Sequence, residues 1–284
     1  MRRETVDLQQ ARYVAIDAAE SAGSLLRGRS DRHFDVWAKS EGDLVTELDL
    51  AAERLIVDRI RARYPHHQIV SEEAGTLSGD VRWNWLVDPL DGTNNIAMGL
   101  NVYTVGITLC LRGLPVVAAV HEPGSGHTWS AVRHQGAFAG RDRPLVRRER
   151  PPRSRPTLAW NQGYRVTPED PTATALRLVL DRESTRVLRL WAPLLSWVML
   201  ARGDLDGIVG YEIGELDLHA GALIATEAGL RVTDPSGRAF DPRVGTLTED
   251  RSLVAGTGEA VPWLLELWSA AEKLSSRVPD LWDS

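Results

Sequence analysis

Two carboxylates on either side of a tight turn are the feature of this 284-residue chain that is most informative about its chemistry. Asp88 follows a short apolar run, and the turn after it brings Asp91 back towards Asp88. Carboxylates placed this way can share a hard cation such as Mg²⁺, with the Leu90 carbonyl as a further oxygen ligand. Gly92 and Thr93 then begin a predicted helix, whose free N–H groups would face a phosphate. The segment predicts adjoining metal and phosphate sites, although its residues also favour a simple tight turn.

Three further acidic segments lie elsewhere in the chain, and they contain Asp49, Glu72 and Asp217. Each also has a purely structural explanation. Thr46 and Asp49 match a helix capping box, and Asp217 suits a helix N-cap. Glu72 suits a solvated surface position. Taken one at a time, these segments do not distinguish a metal site from local structure.

The composition limits the classes of function. The chain is 43% hydrophobic and 25% charged, which is ordinary for a globular enzyme. Its net charge of -6 argues against a nucleic-acid binder, and an acidic protein that handles phosphate needs bound cations. The single cysteine, Cys110, cannot form an internal disulfide, and no stretch suits a signal peptide or a membrane span. We therefore expect a cytoplasmic protein that binds neither nucleic acid nor membrane.

Hydrophobic periodicity predicts helices on a sheet, followed by an alternating α/β unit. Helices are expected at residues 6–26, with Gly28 as a stop, and at residues 49–62. An antiparallel sheet should follow, with strands at residues 68–70, 83–87, 104–111, 116–121 and 128–132. The alternating unit should contain strands at residues 157–160, 186–190 and 207–209, and helices at residues 172–180, 193–202 and 217–228.

An Arg- and Pro-rich segment, residues 141–155, separates the two halves. Its charge could attract an anionic partner, but proline-broken charge is typical of a solvated connection. We place the domain boundary within it. Residues 1–150 are expected to form an N-terminal α+β half with most of the acidic segments. Residues 151–284 are expected to form a C-terminal α/β half that contributes Asp217.

In this order, the four acidic segments resemble those of the inositol monophosphatase family, and the match covers most of the chain. Residues 88–95 are the most specific part, residues 217–229 come second, and residues 135–138 resemble the family's Gly-Ala turn. The resemblance implies a layered α-β-α-β-α sandwich of the inositol monophosphatase and fructose-1,6-bisphosphatase type. It also implies a homodimer and a Mg²⁺-dependent phosphomonoesterase.

The resemblance implies a metal-binding role for several residues. Glu72, Asp88 and the Leu90 carbonyl would hold one Mg²⁺. Asp88, Asp91 and Asp217 would hold a second, and a third, weaker ion would lie near Glu72. Paired ions would activate water and stabilise the attacking and leaving oxygens.

The resemblance also implies the catalytic residues. A metal-bound water oriented by Glu72 and Thr93 would attack phosphorus directly, and Asp49 would support Thr93 by a hydrogen bond. Lys39 matches a family lysine but is displaced by one residue, so an ordinary surface lysine is the alternative. The residues near the phosphate would be Gly92, Thr93 and Asn94.

The segments that would face the alcohol part of the substrate depart from the family pattern. They are residues 96–99, 160–164 and 190–196. Trp160, Tyr164 and Trp191 could form a wall for a ring, although aromatic residues more often fill cores.

Because of these departures, the resemblance does not identify the substrate. Glu212 and Glu215 could contact substrate hydroxyls, but their spacing to Asp217 is shorter than in inositol-specific members. The expected substrate is a small phosphorylated sugar, cyclitol or nucleotide. The alternatives are a phosphatase for 3′-phosphoadenosine 5′-phosphate, fructose 1,6-bisphosphate or histidinol phosphate, or a relative that binds a phosphorylated ligand without turnover.

Overall fold

The computed structural model describes residues 6–29, 33–40, 42–149, 155–245 and 251–278. The helices in these ranges are α1 (Leu8–Arg29), α2 (Glu47–Arg63), α3 (Thr93–Ala97), α4 (Pro171–Glu183), α5 (Pro193–Ala201), α6 (Leu216–Glu227) and α7 (Ala260–Ser275). The strands of the first half are β1 (Val36–Ser40), β2 (Asp43–Thr46), β3 (His67–Ser71), β4 (Gly75–Leu77), β5 (Asp80–Asp91), β6 (Thr104–Leu111), β7 (Leu114–Glu122), β8 (His127–Val132), β9 (Gly136–Ala139) and β10 (Arg143–Pro144). Those of the second half are β11 (Thr157–Gln162), β12 (Arg186–Leu188), β13 (Gly207–Ile213), β14 (Arg231–Thr233) and β15 (Arg251–Gly256).

The large sheet has eight strands in the order β10-β9-β8-β7-β6-β5-β3-β4. Most neighbours are antiparallel, as predicted, but β3 and β5 are parallel, so the prediction of an antiparallel sheet was wrong there. The reason is the short strand β4, which reverses the chain at the sheet edge before β5 returns on the other side of β3. The long strand β5 therefore lies inside the sheet and ends at the predicted metal-binding turn.

The small sheet has five strands in the order β12-β11-β13-β15-β14. Strands β12, β11 and β13 are parallel, and β15 is antiparallel to both of its neighbours. Because parallel strands end at the same edge of a sheet, the segments after β11, β12 and β13 emerge side by side. Ligands bind at this edge in many open α/β sheets.

The two sheets and the helices form five layers around shared cores. Helices α1 and α2 pack on one face of the large sheet, α5 and α6 lie between the sheets, and α4 and α7 cover the small sheet. Along β13, Ile208 packs into the middle core and Val209 into the outer one, as strand alternation requires. The predicted layered α-β-α-β-α sandwich is thus confirmed. The predicted domain boundary falls at residues 150–154, outside the described residues.

Local sequence explains most helix boundaries. Thr46 caps α2 through the predicted capping box with Asp49. Gly28 does not stop α1, which continues to Arg29, because a glycine lowers helix propensity without breaking the hydrogen-bond ladder. Asp217 lies in the first turn of α6 and is not its N-cap, the position that Glu215 occupies. Within the described residues, no helix combines the length and hydropathy that a membrane span requires.

Candidate active site

A cleft opens where the turn after β5 meets the segments that follow the parallel strands of the small sheet. Both halves of the chain therefore contribute to its walls. The structure brings most of the predicted site residues together there. Those that line the cleft are Glu72, Asp88, Leu90, Asp91, Gly92, Thr93, Trp191 and Asp217.

Three carboxylates form the floor of this cleft. Asp88, Asp91 and Asp217 each place an oxygen within 4.8 Å of the other two. Loss of solvent and the repulsion between these groups raise the pKa of Asp88 and Asp217 well above the ordinary value. Burial raises the pKa of Asp91 to about 7. Such a cluster is unfavourable by itself, because neighbouring negative charges repel one another in a medium of low polarity.

Hydrogen bonds orient two of these carboxylates. The Asp91 Oδ2 atom accepts from Thr104 Oγ1 at 2.8 Å and from the Leu194 amide at 2.9 Å. Asp88 Oδ1 accepts from the Leu90 amide at 3.2 Å, whereas its buried Oδ2 atom has no hydrogen-bond partner. Leu194 lies in the first turn of α5 in the second half, so Asp91 is positioned by both halves of the chain. Sequence reasoning did not identify Thr104 or Leu194 as site residues.

The cluster fits a divalent cation. An unpartnered buried carboxylate oxygen is costly unless a ligand satisfies it. The donors of the cluster are all oxygens, which Mg²⁺ prefers over sulfur or nitrogen ligands. Lys39, a nearby cation, partly opposes the rise in the pKa of Asp217, but it is itself paired with Glu72. A bound cation would therefore relieve both the repulsion and the missing contact of Asp88.

Glu72 stands at the edge of this cluster. Its amide donates to the carbonyl of Val87 at 3.2 Å, which ties it to the strand that ends at Asp88. Lys39 Nζ lies 2.8 Å from a Glu72 carboxylate oxygen and also pairs with Glu73. Burial raises the pKa of Glu73 to about 7. Lys39 is thus placed beside the predicted catalytic carboxylate and is not an isolated surface lysine.

Thr93 is held from behind by Asp49. The Thr93 hydroxyl lies 2.7 Å from Asp49 Oδ1 and 3.0 Å from the Leu90 carbonyl. The other Asp49 oxygen accepts from the amide and the hydroxyl of Thr46, at 2.8 and 2.5 Å. All three side chains are buried or nearly so. Asp49 therefore serves the capping box and the candidate site at once, and the two explanations offered by the sequence are compatible.

Gly92 shapes the turn that leads from Asp91 into α3. Its φ is +108°, and an added Cβ would lie 2.8 Å from the Val102 carbonyl. Only glycine fits such a position without displacing the neighbouring backbone. Asn94, by contrast, donates its amide to the Gly42 carbonyl at 2.8 Å, and its side chain does not line the cleft.

Two predicted substrate contacts lie outside the cleft. Glu215 is fully buried and pairs with His219 and, at 2.6 Å, with Arg251. It therefore joins the start of α6 to β15. Glu212 shares hydrogen bonds with Ser252, through its backbone amide at 3.1 Å and its carboxylate at 3.2 Å. Neither Glu212 nor Glu215 lines the cleft.

The aromatic residues divide between core and cleft. Trp160 is buried and stacks on Tyr211, as the core interpretation predicts, but it also lines the cleft. Tyr164 and Trp191 remain 40% and 38% exposed at the cleft, with ring centroids 5.9 Å apart. Arg189 also lines the cleft. Its place at the end of a predicted strand, two residues before Trp191, was the sequence feature that could have identified it.

Comparison with known proteins places the chain among phosphatases. The sequence model of the inositol monophosphatase family matches residues 7–273. Inositol monophosphatase 1 of Solanum lycopersicum is 32% identical over 278 residues, which cover 95% of this chain and 97% of the tomato protein. Nus factor SuhB of Pasteurella multocida is 33% identical, with 79% of this chain and 85% of that protein covered. The crystal structure of the extragenic suppressor protein suhB from Bartonella henselae superposes with a TM-score of 0.81 at 26% identity, covering 91% of this chain and 98% of that one.

Proposed function

The chain belongs to the inositol monophosphatase family and is a phosphomonoesterase, and from that premise we propose that it hydrolyses a small phosphorylated sugar, cyclitol or nucleotide with Mg²⁺ as cofactor. One observation carries the proposal. Asp217, from α6 in the second half, meets Asp88 and Asp91 at the end of β5 in the first half, although more than a hundred residues separate them along the chain. A shared cation explains why three carboxylates approach one another so closely.

Each candidate ligand has a proposed place. Glu72, Asp88 and the Leu90 carbonyl would hold one Mg²⁺, and Asp88, Asp91 and Asp217 a second. A third ion would lie near Glu72, the carboxylate that pairs with Lys39 in the structure. When bound, the cations would lower the pKa of a water molecule and offset the charge of the phosphoryl group.

The protein groups would orient the reacting atoms. The Thr93 hydroxyl has one hydrogen, and we assign it to Asp49, which lies closer than the Leu90 carbonyl. The free lone pairs of Thr93 can then accept a hydrogen from the attacking water, with Glu72 beside that water as a proton acceptor. The backbone amides of Gly92 and Thr93, at the start of α3, would donate to the phosphoryl oxygens. The water oxygen would form the new bond to phosphorus as the alcohol oxygen leaves with its bonding electrons.

A phosphate-release screen tests this proposal. Purified protein would be assayed with and without Mg²⁺ on inositol, sugar and nucleotide monophosphates, together with histidinol phosphate, fructose 1,6-bisphosphate and 3′-phosphoadenosine 5′-phosphate. We expect release that requires Mg²⁺ and is lost in Asp88→Asn and Asp217→Asn. Asp58→Asn, on the exposed face of α2, is the matched control and should retain full activity. Undiminished Mg²⁺-dependent release in Asp88→Asn would exclude the proposed metal site.

We also propose that the protein is a homodimer, as family resemblance suggests, and that it acts in the cytoplasm, as its single cysteine suggests. Burial raises the pKa of the Cys110 thiol, which favours a structural over a nucleophilic role. Sedimentation equilibrium of the full chain would give twice the chain mass if the homodimer forms.

A further inference from the structure

The cleft extends beyond the three carboxylates of its floor. Strand β13 leads to Asp217, and β12 leads to Arg189 and Trp191, with β11 between them. Neighbouring strands lie about 4.8 Å apart, so the ends of β12 and β13 are separated by roughly 10 Å. The cleft is therefore longer than a phosphate needs. Its distal end is formed by Asn161, Tyr164, Arg189 and Trp191.

Hydrogen-bond donors are in excess at this distal end. The Arg189 guanidinium contacts Gln162 Oε1 at 3.3 Å, and that oxygen already accepts from Trp160 Nε1 at 2.8 Å. Arg189 has no carboxylate partner among the described residues. Asn161 is only 5% exposed, yet its Nδ2 atom has no hydrogen-bond partner. Buried donors without partners are rare in folded proteins, so the Asn161 amide calls for an acceptor supplied by a ligand, and the exposed Arg189 guanidinium adds a positive charge in the same cleft.

Two exposed rings stand beside these donors. Tyr164 and Trp191 present large apolar faces to the cleft, where burial against a ligand would be favourable. Trp191 has a φ of +52°, a region that bulky residues rarely adopt. The carbonyl of Leu190 is held at 2.6 Å by the side-chain amide of Asn95, from the other half of the chain. The hydrogen bond from Asn95 thus holds the backbone next to the strained Trp191 in place. This backbone keeps the Trp191 indole at the cleft.

From this arrangement, and resting on the proposed phosphatase function, we propose that the distal end selects substrates whose alcohol portion carries a planar aromatic ring and a second anionic group. The ring would stack on Trp191 and Tyr164. The anion, a carboxylate or a second phosphate, would bind Arg189 and the Asn161 amide on the side away from the phosphate that is cleaved. A cyclitol monophosphate has neither a flat face nor a second anion, and a cationic alcohol would be repelled by Arg189.

Binding of non-hydrolysable phosphonates by calorimetry, with Mg²⁺ present, tests the anion contact. We expect wild-type protein to bind 4-carboxybenzylphosphonate about tenfold more tightly than its neutral isostere, 4-carbamoylbenzylphosphonate. Arg189→Gln should remove this preference. Arg186→Gln, which changes an exposed arginine at the start of the same strand, should keep it. Equal binding of the two ligands by the wild type, or an unchanged preference in Arg189→Gln, would overturn the assignment. A bisphosphonate with the same ring identifies which anion is preferred.

The ring contact has its own comparison. Benzylphosphonate should bind wild-type protein more tightly than cyclohexylmethylphosphonate, because only the planar ring can stack. Trp191→Leu should reduce this difference roughly tenfold, and Trp191→Phe should restore most of it. A wild type that does not distinguish the two rings, or a Trp191→Leu variant that distinguishes them as the wild type does, would refute the stacking role.

These ligands separate the specificity inference from the proposed function. Phosphonates are not hydrolysed, so their affinities are measured whether or not the protein releases phosphate. An Arg189-dependent preference without Mg²⁺-dependent turnover of any phosphomonoester would refute the proposed function alone. Mg²⁺-dependent turnover without that preference would refute the distal anion site alone.

Discussion

At the scale of single residues, Thr93 offers the sharpest test of catalysis. Its hydroxyl lies 2.7 Å from Asp49 Oδ1, and in the proposed mechanism its lone pairs accept a hydrogen from the attacking water. Thr93→Ala removes that acceptor, so we expect kcat to fall about 100-fold, with little change in KM. Steady-state kinetics on whichever phosphomonoester the screen identifies would measure this. Thr93→Ser retains the hydroxyl and should recover most of the rate, and equal losses in both variants would point to packing as the cause.

The protonation of the carboxylate cluster gives a prediction for pH. The pKa of Asp91 is raised from 3.8 to about 7, so the metal-free folded state binds more protons than the unfolded state between these values. The contribution of protonated Asp91 to the free energy of unfolding is therefore lost as the pH rises from about 4 to about 7. Mg²⁺ binds the deprotonated form, and we expect it to raise Tm more at about pH 8 than at about pH 5. Thermal scans with Mg²⁺ and with EDTA at each pH would show this, and an equal rise at both would contradict it.

Sequence was sufficient to predict the carboxylates that meet in the cleft but not the groups that orient them. Asp88 and Asp91 share one turn, a spacing that allows a shared cation but also suits a simple tight turn, and the other acidic segments together favour the cation. The partnership of Thr104 with Asp91 depends on the register between β5 and β6. The contact of Leu194 with Asp91 depends on how α5 docks between the two sheets. Neither relation is encoded by spacing along the chain, so only the folded structure shows them.

At the scale of elements, α5 and α6 pack so closely that one glycine is required. An added Cβ at Gly221 would lie 2.2 Å from Cγ of Trp197, a fully buried side chain. Gly221→Ala should therefore lower the free energy of unfolding by about 1–3 kcal/mol. Because α6 carries Asp217, this variant should also bind Mg²⁺ more weakly. Urea unfolding and a Mg²⁺ titration would measure the two effects.

Gly28 provides the matched control within α1. Nothing lies within 4 Å of an added Cβ there, so Gly28→Ala should leave Mg²⁺ binding unchanged and stabilise the protein by up to about 1 kcal/mol. If Gly221→Ala proved as harmless as Gly28→Ala, the packing between α5 and α6 would be looser than the structure indicates.

Several helices and strands with a clear hydrophobic period were predicted from the sequence. Most short strands, and the long helix α7, were missed. The predicted strand at residues 104–111 coincides with β6, and the predicted helix at residues 193–202 differs from α5 by one residue. The sequence analysis missed β14, a three-residue strand at the sheet edge, β15, a six-residue strand inside the small sheet, and α7, a 16-residue helix whose apolar face covers that sheet. The parallel pairing of β3 with β5 depends on a three-residue strand, β4, that has too few residues to show a period.

At the scale of the whole molecule, the candidate site is where the two halves meet. The first half supplies Asp88 and Asp91, and the second supplies Asp217 and the Leu194 amide that holds Asp91. Helices α5 and α6 also form the core shared by the two sheets. Metal binding and the packing of the halves should therefore stabilise each other.

Asp217→Asn separates these two contributions. In wild-type protein, Mg²⁺ at about 100 times its dissociation constant should add about 2.7 kcal/mol to the free energy of unfolding, because the unfolded chain has no preformed site. Asp217→Asn removes a ligand and should abolish most of that gain. In EDTA the same variant should be at least as stable as wild type, because it removes one of three mutually repelling carboxylates. Calorimetric unfolding in Mg²⁺ and in EDTA would measure both. A variant destabilised equally in both solutions would show that Asp217 supports the fold by packing, independently of any cation.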